Sequence, residues 1–260
     1  MSSGAAAASE GEPAASGRPV VPELPVVPEL PVVPELPVVP ELPVVSGLAV
    51  APGLFVTLEG GDGAGKTTQA ALLEEWATGQ GRRVVRTREP GGTDVGVLIR
   101  DIVLHHRGDV SARAEALLYA ADRAHHVATV VRPALHRGDV VIQDRYLDSS
   151  VAYQGAGRVL GPGEVRDLSL WATEGLLPDL TVLLDLDPAA ARARRDADDK
   201  PFDRLEAEQD DFHARVRGEF LSLAAAEPER FLVLDATAPA EEIAAAVRTR
   251  VAALLDARTS

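Results

Sequence analysis

The sequence predicts an α/β protein in which helices flank a five-stranded parallel sheet, preceded by a disordered, proline-rich extension. Three observations carry that prediction. Residues 58–68 read L-E-G-G-D-G-A-G-K-T-T, a complete G-x-x-x-x-G-K-[ST] phosphate loop from Gly60 to Thr67, set between an apolar run and a helix-type run. Beyond it, short β-branched runs alternate with helix-type segments to the end of the chain. Before it, V-V-P-E-L-P occurs four times over residues 20–43, with a decayed copy at 44–49.

Residues 1–53 form the extension. Two prolines in every six residues fix φ and remove N–H donors, which rules out a helix or a central strand and favours an extended, polyproline-like chain. It carries Arg18 against six glutamates, net −5, leaving −9 of the total −14 for residues 54–260. Proline-rich segments suit aromatic grooves, so the repeat is either a tail that docks a partner or a plain spacer. Met1 is the single methionine, so a start near Val50 or Leu54 is a third reading.

The first strand, 54–58, feeds the phosphate loop, whose backbone N–H groups point at phosphate oxygens, and the helix predicted over 67–80 adds its positive end. Lys66 reaches the β- and γ-phosphates of a nucleotide and the Thr67 hydroxyl suits Mg²⁺. The second strand, 83–87, ends in Arg88-Glu89-Pro90-Gly91-Gly92-Thr93, a rigid turn where Glu89 suits a substrate hydroxyl or a metal-bound water. A helix over 94–104 carries Arg100. A single long helix over 112–137 carries Tyr119 and Arg123 as i, i+4 neighbours, which suits a flat base on a phosphorylated sugar; the plainer reading is a core tyrosine and a solvated arginine. His125 and His126 are adjacent, point to different sides of that helix, and read as surface residues.

The third strand, 139–143, leads to Asp144-Arg145, a carboxylate placed to organise Mg²⁺ beside a cation for phosphate. Ser150 and Gln154, also i, i+4, suit a base edge, and Tyr153 suits a sugar. A helix over 162–174, a strand over 180–185, a helix over 188–195 and a basic, breaker-rich stretch at 192–206 follow; the last reads as a mobile lid. Helices over 203–226 and 240–257 enclose the fifth strand at 231–235. Every one of these motifs falls after a strand, where ligands bind in such sheets.

With 46% hydrophobic residues the chain has material for a sizeable core. It has no cysteine, so neither disulfides nor thiol chemistry is expected, which fits a cytoplasmic protein. The acidic balance argues against nucleic acid and anionic membrane surfaces as partners, and no run of about 18 apolar residues suggests a membrane span.

Residues 54–257 resemble the bacterial thymidylate kinases, P-loop kinases that phosphorylate a nucleoside monophosphate, through E-G-G-D-G-A-G-K-T-T, R-E-P-G-G-T, L-L-Y-A-A-D-R, D-R-Y-L-D-S-S-V-A-Y-Q-G and D-R-L-E. The resemblance implies Mg²⁺-dependent transfer of a phosphoryl group from ATP to dTMP by a homodimer. It assigns ATP to Gly60, Gly61, Asp62, Gly63, Ala64, Gly65, Lys66, Thr67 and Thr68, and Mg²⁺ to Thr67 and Asp144. The acceptor phosphate falls to Arg100 and Arg145. Tyr119 takes a base-stacking position that is usually Phe, and Arg123, Ser150 and Gln154 read the base edge. Asp62 sits near the sugar 3′-hydroxyl with Glu89 close by, and Tyr153 favours a 2′-deoxy sugar. Gly63 and Ala64 offer no cation inside the loop, so the catalytic arginine is expected from the lid, where Arg194, Arg195, Lys200 and Arg204 are candidates and the spacing departs from the family pattern. The rival readings are another nucleotide or nucleoside kinase, or an ATP-binding module with a docking tail.

Overall fold

The computed structural model describes residues 53–106, 108–196, 204–205 and 208–259. The extension, Lys200 and Asp203 lie outside the described residues, and of the Arg195 side chain nothing is described. Five strands form one all-parallel sheet: β1 (Leu54–Gly60), β2 (Val84–Arg88), β3 (Val140–Asp144), β4 (Leu180–Asp185) and β5 (Phe231–Asp235). Their order is β2-β3-β1-β4-β5. β1 is buried along its whole length, as its unbroken apolar run requires of a central parallel strand. Because the strands run in parallel, all their carboxyl ends meet at one edge: Leu58 is in register with Asp144, and Arg88 with Asp144.

Alternation along the strands builds two cores. Phe55, Val141 and Leu183 face one side, packed with Val131, Leu147, Phe212 and Phe220. Leu54, Val56, Ile142 and Val182 face the other, packed with Leu73, Val247 and Val251. The first layer contains α2 (Asp94–His105), α3 (Ala112–His126), α6 (Pro162–Ala172) and α8 (Asp210–Ala226), and the second α1 (Lys66–Gly79) and α9 (Ala240–Thr259). Ser111 caps α3 and Thr93 caps α2 by accepting a backbone N–H.

Three sequence expectations are corrected. The long helix over 112–137 is not regular: a π-helical segment, Val127–Val131, joins α3 to the short α4 (Arg132–His136). A second wide segment, Val151–Gly157, follows the four-residue α5 (Leu147–Ser150) directly after β3, where no helix was read. Such bulges re-aim side chains, and this one contains Tyr153 and Gln154. Third, α8 starts at Asp210 and not at 203, because residues 204–205 are a turn tied to α2 by the Arg204 N–H bond to the Leu104 carbonyl, 3.3 Å. α7 (Pro188–Asp196) carries the first lid arginines.

Candidate active site

The phosphate loop is shaped by glycine. Gly60 has φ +128°, and a β-carbon there would lie 2.4 Å from the Leu184 carbonyl oxygen on β4. Gly65, at φ +95°, opens α1 with no side chain capping the first turn, which leaves N–H groups for an anion. Lys66 folds back over the loop: Nζ donates to the carbonyls of Gly61 at 2.7 Å and Gly60 at 3.2 Å. Burial pushes its pKa down, and Arg145 adds to that; Asp144 and Asp62 oppose them. Thr67 Oγ1 donates to Asp144 Oδ2 at 3.0 Å, so the predicted hydroxyl–carboxylate pair is in place across the ends of β1 and β3. Among the described residues no group of three or more His, Cys, Asp or Glu forms a metal cage. One hydroxyl and one carboxylate suit a cation that keeps waters and takes its other ligands from phosphates, as Mg²⁺ does.

Arg145 stands at the centre. Its backbone has φ +66°, a conformation a non-glycine residue holds only when its surroundings over-determine it. They do so here. Nη1 donates to Gly60 O (3.1 Å) and Ser149 Oγ (3.0 Å), and Nη2 to Asp62 Oδ1 (2.5 Å) and Tyr153 Oη (3.2 Å). Tyr153 Oη also donates to Asp62 Oδ2 at 2.9 Å. Burial pushes the Asp62 carboxyl up, but Arg145 and then Lys66 outweigh it and hold it well below the usual carboxylate range.

On the α2–α3 side of Arg145 lies a cavity of about 140 Å³, lined among others by Arg100, Tyr119, Arg123, Ser150, Gln154 and Leu205. On its other side an open groove follows Gly63 to Thr68. Asp62, Glu89, Arg100 and Arg145 line both, so the two meet at these four residues. Arg123 is 2% exposed and firmly held: Nε donates to Glu89 (2.8 Å), Nη1 to Ser169 (3.0 Å), and Nη2 to Ser150 (2.9 Å) and the Tyr146 carbonyl (3.2 Å). That leaves one N–H, on Nη1. Arg100 Nη1 donates to the Pro90 carbonyl at 3.0 Å, at the cavity rim. Glu89, read from sequence as a hydroxyl or metal group, has both oxygens on protein donors, Arg123 and His126.

His126 is therefore not a surface residue. It is fully buried, with Nδ1 2.9 Å from Glu89 and Nε2 2.7 Å from Thr87 Oγ1; His125 is exposed as expected. Positions 115, 119, 122 and 126 share one helix face, and the spacing from Tyr119 to His126 carried the missed signal. Asp122, on that face, accepts from Gly91 N (3.3 Å), and its carboxyl is pushed up to about 6 by burial and by Glu89.

The lid candidates separate. Arg194 lies over the phosphate loop, with Nη2 on Ala236 O (2.9 Å) and Nη1 on Gly63 O (3.4 Å). Arg204 faces the cavity side: Nε donates to Val103 O at 3.0 Å and Nη2 pairs with Glu115. Sequence reading also passed over Glu59, whose carboxyl oxygens accept the Tyr146 N–H (2.7 Å) and the Ser149 hydroxyl (2.5 Å). A charged residue ending the apolar run of β1 was the available clue.

Comparison with known proteins finds relatives of this chain. A family model described as Thymidylate kinase matches residues 58–247. The thymidylate kinase of Leifsonia xyli subsp. xyli is 74% identical over 197 residues, covering 76% of this chain and 93% of that protein. That of Clavibacter michiganensis subsp. michiganensis is 71% identical over 206 residues, covering 79% and 98%. The Deinococcus radiodurans thymidylate kinase is 53% identical over 193 residues, covering 74% and 93%.

Proposed function

Because the chain belongs to the thymidylate kinase family, we propose that it transfers the γ-phosphoryl group of ATP to the 5′-phosphate of dTMP, giving dTDP and ADP. The observation that carries this reading is the meeting of a phosphate-loop groove and a base-sized cavity at Asp62, Glu89, Arg100 and Arg145. A donor held in one and an acceptor in the other bring the two phosphates together across a single guanidinium.

The chemistry needs no general base. A phosphomonoester has a second pKa near about 6, so its oxygen is already anionic at neutral pH. Catalysis reduces to positioning and charge neutralisation. Lys66 turns from the carbonyls of Gly60 and Gly61 to the β- and γ-phosphates. Arg145 and Arg100 take the acceptor phosphate, and Arg194 supplies the lid cation. Asp62 and Tyr153, bonded to each other and to Arg145, form the floor under the sugar. Tyr119 packs on the base, whose edge meets Arg123, Ser150 and Gln154. Thr67 and Asp144 fit Mg²⁺, which when bound neutralises charge on the β- and γ-oxygens.

Two further parts of the reading concern assembly and setting. Val95, Leu98 and Ile102 on α2 and Leu117 on α3 are exposed apolar residues, which supports a homodimer through this face. Residues 1–53 lie outside the family match and serve as a spacer that turnover does not need, with docking of a partner as the alternative. The proposed nucleotide chemistry belongs in the cytoplasm, and among the described residues no helix is long and apolar enough to cross a membrane.

The test is ADP release by the full chain with Mg·ATP and, separately, dTMP, dUMP, dCMP, dGMP and thymidine. Turnover with dTMP well above the others is expected. A folded, ATP-binding protein with no dTMP-dependent turnover would move the reading to a binding module.

A further inference from the structure

We propose that Glu115, which stands outside the phosphate machinery, sets which pyrimidine the acceptor cavity takes by fixing the way the Gln154 amide is turned. The proposal rests on the dTMP-phosphorylating reading above and adds a residue that reads the base at second hand. Glu115 lies in the first turn of α3 and is fully buried. Its carboxylate accepts from Gln154 Nε2 at 2.9 Å, from Arg158 Nε at 3.3 Å and Nη2 at 3.4 Å, and from Arg204 Nη2.

A carboxylate held between two guanidinium groups offers acceptors only. An amide that faces it must present its NH₂ group and turn its carbonyl oxygen the other way. Gln154 is 1% exposed and lines the cavity together with Arg123 and Ser150. One Nε2 N–H is given to Glu115, which turns the amide so that Oε1 points away from that carboxylate and is the acceptor offered to a base. Arg123, which lines the same cavity, keeps one Nη1 N–H. The cavity wall therefore offers one acceptor and one donor.

That pair matches the N3–H donor and O4 acceptor of thymine or uracil. Cytosine carries the reverse pattern, a bare N3 beside an amino donor, and would meet Gln154 Oε1 acceptor to acceptor and Arg123 donor to donor. Half a turn of the Gln154 amide would bring NH₂ to the base and remove the first of these mismatches. Glu115 forbids that turn. It touches no substrate atom, so it is a positioning residue, and its effect appears as selectivity.

The experiment compares kcat and KM for dTMP and dCMP in the full-length wild type and in Glu115→Gln. Glutamine keeps the shape but can itself donate, which frees Gln154 to turn. The ratio of kcat/KM for dTMP to that for dCMP should fall on the order of tenfold, the worth of one hydrogen bond, through a higher KM for dTMP with the KM for ATP unchanged. A residue with a merely structural role would lower Tm or scale both substrates together. A folded Glu115→Gln protein with the wild-type ratio overturns the proposal. Should that variant not fold, wild-type ¹⁵N spectra decide. The Gln154 side-chain NH₂ signals, assigned by their loss in Gln154→Leu, should be protected from exchange before dTMP is added and stay unshifted after it. A large shift of those protons on dTMP binding means the nitrogen reads the base and refutes the proposal. Wild type that turns over neither nucleotide, or both equally, refutes the function itself and this inference with it; wild type that prefers dTMP, beside a variant that keeps the preference, refutes only the role of Glu115.

Discussion

Replacing Arg194 by alanine separates a catalytic lid residue from a structural one, because the two contributions differ by orders of magnitude. Arg194 is exposed on α7 and makes two bonds to protein, to the carbonyls of Ala236 (2.9 Å) and Gly63 (3.4 Å). Losing them costs the fold about 1 kcal/mol, the net worth of a hydrogen bond at a partly exposed site, and that lowers Tm by about 2–4 °C in a protein of this size. If its guanidinium instead meets charge developing on the transferred phosphoryl group, kcat falls on the order of 10³-fold or more, about 4 kcal/mol or above. Coupled ADP release under saturating ATP and dTMP reads the second quantity and a thermal melt the first. Arg204→Ala is the contrast: its bonds run to Val103 and Glu115, on the acceptor side, so it should raise the KM for dTMP while kcat stays within about tenfold. Arg194→Ala with kcat within about tenfold of wild type, and Arg204→Ala with the large loss, would refute the assignment and transfer the role to Arg204.

Lys66→Met should abolish turnover while leaving Tm of the nucleotide-free protein unchanged or higher, because burial already disfavours the ammonium; a melt beside the kinetic assay checks both, and normal kcat would sink the site. Gly92→Ala puts a β-carbon 2.5 Å from His126 Nε2 and 2.7 Å from Thr87 Oγ1, so it should cost about 1–3 kcal/mol and weaken dTMP binding through Glu89 and Arg123; an unchanged urea midpoint would contradict the packing. Glu59 is pushed up to about 8 by burial and by Asp148, so the fold holds its proton more tightly than the unfolded chain does. The stability it contributes is full below about pH 4.5 and is lost as pH rises towards about 8, a slope that Glu59→Gln should remove; stability–pH curves that stay parallel for the two proteins would exclude it.

The fold was legible because the backbone rules are local. Alternating apolar runs and breakers located all five strands to within two residues, and a parallel sheet then forces the post-strand motifs to one edge. The phosphate loop and the gathering of Thr67, Asp144 and Arg145 at that edge were legible for that reason, whereas the bonds that join Asp62, Arg145 and Tyr153 came only with the structure. What stayed hidden were residues that serve the site at one remove. Glu59 and Glu115 are buried carboxyl residues whose partners, Ser149 and Gln154, are distant in sequence, and no local pattern reports a contact of that kind. His126 was lost to a local rule correctly applied to the wrong pair: adjacency to His125 dismissed both, while its i+7 relation to Tyr119 pointed inward. The π segments were unreadable because a wide turn has the same composition as the helix around it.

An acidic chain that binds two anionic nucleotides must keep its cations from being neutralised by its own carboxylates. The net charge is −14, yet around the proposed reaction centre the cations are held largely by neutral oxygens. Lys66 leans on two backbone carbonyls and Arg194 on two more. Arg145 has one carboxylate, Asp62, among its four acceptors. A carbonyl dipole orients a cation without cancelling its charge, so a phosphate displaces it at little cost and gains the full attraction in a low-dielectric cleft. The strain is visible in the directions of the titrations: Lys66 is pushed down by burial and by Arg145, and Glu59 is pushed up. A nucleoside triphosphate that supplied the missing negative charge would relieve the first of these. Its binding would then stabilise the fold beyond what mass action on an uncharged ligand of equal size provides, because part of its interaction energy offsets the cost of burying the Lys66 ammonium.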